Sequence, residues 1–213
     1  MNILLWFIRR KNKGSALIEA IAAIVILSIV AAISAPAFLV ALLTRVESRR
    51  IFQARQLAQS QVDATREILL SSNTYPASSL PPSTGSTSTS DLPTTSAPTS
   101  TCSSSTNPCP STAQALTVTL NNNNYLVQTF RTQGVSLGSL PVAFRMGVRV
   151  YGPGAITKLN SGGTLQKYDN HQMEGLQSNL NAEAQYPLAV MYINLVKTNL
   201  DSSQSFYNTL AGQ

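Results

Sequence analysis

Charge is what this chain lacks most. Only 11% of its residues are charged, less than half of the roughly 25% usual in a soluble domain. Between Glu19 and Arg45 there is no charged residue at all. Histidine occurs once, at His171, and cysteine twice, at Cys102 and Cys109. A C-x6-C pair with no histidine nearby is a poor zinc signal. His171 stands close to Asp169 and Glu174, but the spacing matches no ligand motif and reads as a surface loop. Phosphate-cradling loops, nucleophile elbows and recognisable pairs of catalytic carboxylates are also missing. Gly162 and Gly163, after Ser161, read as a turn. Nothing in this inventory supports an enzyme, a metal centre or a cofactor.

Ser, Thr, Asn and Gln fill the place of the missing charge, a composition common on periplasmic and extracellular surfaces. The net charge of +6 invites a nucleic-acid reading. However, four of the fifteen basic residues, Arg9, Arg10, Lys11 and Lys13, crowd the extreme N-terminus, leaving eleven against nine acids. That residue of charge is too small to point to a polyanion. Cys102 and Cys109 lie close together in a Ser/Thr/Pro-rich stretch. An oxidising, exported compartment would let them pair; two free thiols or a metal site are the alternatives.

The apolar residues are concentrated rather than scattered. The run from Ala20 to Leu43 is roughly 24 residues, enough to cross a hydrocarbon core of about 30 Å. It is longer than the apolar core of an ordinary secretory signal, so it reads as a retained anchor. The basic cluster before it should hold the N-terminus in the cytoplasm and send the C-terminal part across the membrane. Glu19 is the anomaly. A carboxylate in such a segment costs about 2.5 kcal/mol or more on insertion scales, so it needs a partner.

Lys11 to Phe38, KNKGSALIEAIAAIVILSIVAAISAPAF, resembles the class III signal and membrane helix of the type IV pilin-like family: pilins, minor pilins and secretion pseudopilins. The resemblance implies cleavage by a prepilin peptidase between Gly14 and Ser15, N-methylation of Ser15, and a kink-forming proline at Pro36. The family's commonest first mature residue is Phe, and Ser15 departs from it. Glu19 becomes the fifth mature residue, and the resemblance implies that it pairs with the α-amine at Ser15 of a neighbouring subunit. Such a pair offsets much of the desolvation of both groups, whereas one partner alone would be costly to bury. Implied partners are the peptidase, other pilin or pseudopilin subunits, an inner-membrane assembly platform with a cytoplasmic ATPase, and membrane lipid. TRVESRRIFQARQLAQSQVD and LAVMYINLV look similar to segments of cyanobacterial pseudopilins linked to polysaccharide secretion and gliding motility.

The rest of the chain sorts into segments. Residues 1–14 are the leader, 15–44 the membrane or fibre-core helix, and 45–70 its amphipathic continuation. In that continuation Ile51, Ala54, Ala58, Val62 and Leu69 share one face, giving one helix of roughly 80 Å. Arg45, Arg49 and Arg50 fall just past the apolar run and read as solvated or headgroup-facing charge. Residues 71–112 form a Ser/Thr/Pro tract that should build no core and remain exposed, extended or glycosylated. Residues 113–213 are the β-rich head. Strands are expected over 116–120, 125–130, 142–150 and 188–196, and a short closing helix over 202–210. In 142–150, Phe144, Met146, Val148 and Val150 alternate with Arg145, Gly147 and Arg149.

The fold class is therefore α+β: a pilin-like fold with a long N-terminal helix packed on a roughly four-stranded antiparallel sheet. The expected role is a non-enzymatic subunit of a type IV pilus-like or type II secretion-like fibre. Two rival readings stay open: a DNA-binding minor pilin for uptake, with Arg131, Arg145 and Arg149 gathered on the exposed sheet face, and a single-pass membrane binding module that never assembles. The plainer reading of those arginines is a solvated strand face.

Overall fold

The structure, a computed structural model, describes residues 15–71, 75–103, 107–167 and 185–197, together with 204, 205 and 208. The chain divides into two compact units at Ser48/Arg49. Helix α1 spans Ser15–Ser71, as its lack of glycine and its wealth of helix formers lead one to expect. Pro36 lies inside it.

In the second unit, α1 buries Ala54, Leu57, Ala58, Val62, Thr65 and Leu69. These are the expected face with Leu57 and Thr65 added, while Ile51 is only half-buried. The apolar face packs on Tyr125, Val127, Phe144, Met146, Val148 and Val150. Each large side chain removed from water contributes about 1.5–3 kcal/mol. The Tyr125 hydroxyl donates to Gln53 Oε1 at 2.7 Å, fixing the helix to the sheet. Farther along, the buried ammonium of Lys197 donates to the Leu69 carbonyl at 3.2 Å, which suits a cation at a helix C-terminus.

All four expected strands are present: β2 (Gln114–Leu120), β3 (Asn123–Arg131), β5 (Leu140–Tyr151) and β6 (Pro187–Val196). Two more complete a six-stranded sheet: β1 (Ser100–Cys102), parallel to β2, and β4 (Val135–Leu137), which folds back on the start of β5. The other pairings are antiparallel, with β3 and β6 both on β5. The β2–β3 hairpin turns on Asn121 and Asn122, both at positive φ, a conformation that asparagine tolerates and two-residue hairpins require. The other two asparagines of the run, Asn123 and Asn124, open β3. Gly134 is also fixed by its place: its φ is +65°, and a Cβ there would collide with the Ala143 carbonyl.

A helix not expected from the polar region after β5, α2 (Gly154–Asn160), covers the other side of the sheet. Its Ala155 packs with Ala115, Leu126, Tyr151 and Leu165 in a second core cluster. Residues 204, 205 and 208 are helical within the expected closing helix.

The Ser/Thr/Pro tract departs from expectation. Leu80 joins the helix–sheet core and Leu92 is fully buried. Backbone bonds then stitch the tract to the sheet: the Arg131 N–H donates to the Pro82 carbonyl at 3.0 Å, and the Thr84 N–H to the Arg131 carbonyl at 2.8 Å. The Gln133 N–H donates to the Ser86 carbonyl at 2.8 Å. Composition averages over such anchors, of which two buried leucines and paired backbone are part.

Candidate functional site

The first unit carries the chemistry implied for assembly. From 17 to 33 the helix is apolar apart from Glu19 and Ser28, and its large side chains are exposed. Two hydroxyls here are satisfied within the helix: Ser28 donates to the Val25 carbonyl and Thr44 to the Val40 carbonyl, both at 2.8 Å. Glu19 is different. It is exposed on the same helix, and among the described residues it makes no ion pair or hydrogen bond. Its carboxylate has no donor among the described residues, so any counter-charge must come from outside them. Gly14 lies outside the described residues. Ser15 begins the helix and Pro36 is within it, but their side chains are likewise outside the description.

The expected span, 15–44, overlaps side chains 34–39, which are not described. Among the described residues, no helix is long and apolar enough to cross a membrane.

The arginine patch needs correction. Arg131 pairs with Met146 in the β3–β5 register, so its side chain lies on the helix side of the sheet, where it sits 5.3 Å over the Phe144 ring. Arg145 and Arg149 lie on the opposite side, so the three do not gather. Arg149 is fully buried. Its guanidinium donates to the carbonyls of Thr95 at 2.7 Å and Pro93 at 3.0 Å, and lies 4.9 Å over the Phe130 ring. Only Arg145 keeps partial exposure, 5.7 Å over Tyr192. A phosphate backbone would reach neither buried guanidinium. Burial lowers the Arg131 pKa from its ordinary value, partly offset by the neighbouring Tyr75. It raises that of Tyr75, partly offset by Arg131.

Cys102 and Cys109 are joined in a disulfide with Cα atoms 5.8 Å apart. Among the described residues no group of His, Cys, Asp or Glu could hold a metal ion. His171 lies outside them.

Three structural residues were not singled out from the sequence. Gln128, fully buried, donates to the carbonyls of Ser96 at 2.8 Å and Thr112 at 2.6 Å. Tyr75 donates to the Pro141 carbonyl, and Lys197 stands 5.1 Å over the Tyr75 ring. For Arg131 a signal existed: it keeps even spacing with Tyr125 and Val127, which face the helix. For Lys197 there was none, because its partner is 128 residues away.

Against known families, residues 9–35 match the prokaryotic N-terminal methylation motif, the type IV pilin-like signal. The motif supports a structural subunit rather than an enzyme, and implies processing by prepilin peptidase and other pilin subunits as partners. It also implies a membrane-anchored chain that passes into a fibre. Searches of curated proteins and of solved structures found no match.

Proposed function

We propose that this chain is a minor pilin or pseudopilin of a type IV pilus-like or type II secretion-like fibre. It is cleaved between Gly14 and Ser15, methylated at Ser15, and drawn from the inner membrane by a platform with a cytoplasmic ATPase. The observation that carries this reading is the conjunction of the methylation motif over residues 9–35 with an exposed Glu19 that has no partner among the described residues of its own chain. A carboxylate on an apolar helix needs a counter-charge, and an amine created at Ser15 of the neighbouring subunit supplies one. Glu19 then acts as a registration device, since a subunit is accommodated only where acid and amine meet. Two further features agree with a subunit role: the head has its own helix–sheet core, and its surface strap is fixed rather than free.

Among fibre roles, polysaccharide export with gliding motility is the specific output suggested by the juxtamembrane and late-strand resemblance. The DNA-uptake alternative is disfavoured by the burial of Arg131 and Arg149. Mass spectrometry of the mature N-terminus tests the reading directly. A methylated Ser15 start is expected, and an intact Lys13–Gly14–Ser15 stretch would overturn it in favour of a non-assembling anchor.

A further inference from the structure

The half of α1 that belongs to the head has a second face. Opposite the buried Ala54, Ala58 and Val62, an outward stripe runs through Phe52, Gln56, Gln59, Asp63 and Leu70 at helical spacing. Its two ends are apolar: Phe52 is 62% exposed and Leu70 is 41% exposed. Their surroundings carry opposite charge. Phe52 stands between Arg49 and Arg55, both exposed, with Arg50 half-buried beside them. Leu70 follows Asp63 and Glu67. Asp63 is already engaged by Arg66 at 3.5 Å and by Gln59 at 3.1 Å, so Glu67 is the acid that characterises this end.

An exposed aromatic in a basic surround and an exposed leucine beside an acid on one stripe form two unlike halves of a contact. We infer that the occupant is a second copy of this chain: the Phe52 end of one subunit docks on the Leu70 end of the next, with Arg49 and Arg55 facing Glu67. The two ends are eighteen residues apart, about 27 Å along the helix. Two copies therefore match when displaced axially by about that distance. A contact between two different patches of the same chain is heterologous, and repeats without closing into a ring when the rotation does not close. Apolar burial supplies the attraction and the charges fix which end meets which. The inference rests on the fibre-subunit reading and adds to it the surface and the axial offset.

The test uses two full-length variants, Phe52→Cys and Leu70→Cys, in the cells that make the fibre. Both positions are exposed, so neither substitution disturbs the core. Under mild oxidation, a disulfide-linked dimer is expected when the two variants are co-expressed, and not from either alone. Placing Glu67→Lys in the Leu70→Cys chain should reduce that dimer, and Arg49→Glu in the Phe52→Cys chain should bring it back. Assembled fibres without the mixed dimer, or with dimers of one variant alone, overturn this contact while leaving the subunit reading intact. A dimer that persists unchanged with Glu67→Lys overturns the charge pairing. A chain that is neither cleaved at Gly14 nor assembled overturns both readings together.

Discussion

Gln128 and Arg149 face each other across β3 and β5, and their side chains grip the Ser/Thr/Pro tract from beneath. Between them they donate to the carbonyls of Pro93, Thr95, Ser96 and Thr112. Buried carbonyls need donors, and a strap so poor in apolar residues has few other means of attachment. Replacing Arg149 by Leu strands the Pro93 and Thr95 carbonyls at about 1–3 kcal/mol each. The detergent-solubilised chain should lose about 2–6 kcal/mol in denaturant unfolding. Protease cleavage should then appear within residues 84–99. Arg149→Lys should fall between, because one ammonium cannot reproduce the fork that reaches both carbonyls.

Reduction of the Cys102–Cys109 bond should act locally. The bridge joins the end of β1 to a segment just before β2, and a loop this short is worth about 2.5 kcal/mol at most. Hydrogen exchange of the Cys102 and Leu116 region should quicken on reduction or in Cys102→Ser. Exchange in β5 should stay as it was.

Alkaline pH should unfold the head before it ionises Tyr151. The Tyr151 hydroxyl donates to the Gln166 carbonyl at 3.0 Å, and burial raises its pKa well above the ordinary 10.0, with Arg149 opposing. The folded pKa is therefore above the unfolded one. A group shifted this way contributes stability that is complete below about pH 10 and is lost as pH rises toward the folded value. Urea midpoints should thus hold up to about pH 10 and fall beyond it. The fall should be shallower in Tyr151→Phe, while phenolate absorbance follows unfolding rather than preceding it.

Glu19→Gln should separate processing from assembly. The amide leaves the cleavage context at Gly14 and Ser15 but removes the charge that a neighbour's amine would meet. Mature chain should accumulate in the membrane, with sheared-fibre yield falling at least about tenfold, as an unpaired buried charge costs several kcal/mol. Normal incorporation of this variant would end the registration argument.

Periodicity made much of the fold readable. β5 announces its buried side through Phe144, Met146, Val148 and Val150, and all four are fully buried. The helix face from Ala54 to Leu69 is equally plain, because 3.6-residue spacing is a local property. Glu19 was conspicuous for the same reason, a single acid in an apolar run. Exposure of the arginines is not local, so the pattern does not report it. Alternation says which side of a sheet Arg149 occupies, but not that a strap bound by its own guanidinium covers that side. The side Arg131 takes depends on register with its neighbour, and the β3–β5 pairing puts it on the helix side.

The sequence by itself determined the long helix, the four principal strands, the placement of Glu19 and the methylation motif, since each rests on residues near one another in the chain. Only the tertiary structure decided the fate of the polar tract and of the cations beneath it. The Leu69 carbonyl is met by Lys197, and the Thr95 carbonyl by Arg149, across 128 and 54 residues of chain. A buried polar group is stable only where its partner arrives, and no pattern in a linear sequence records which distant backbone will come to meet it.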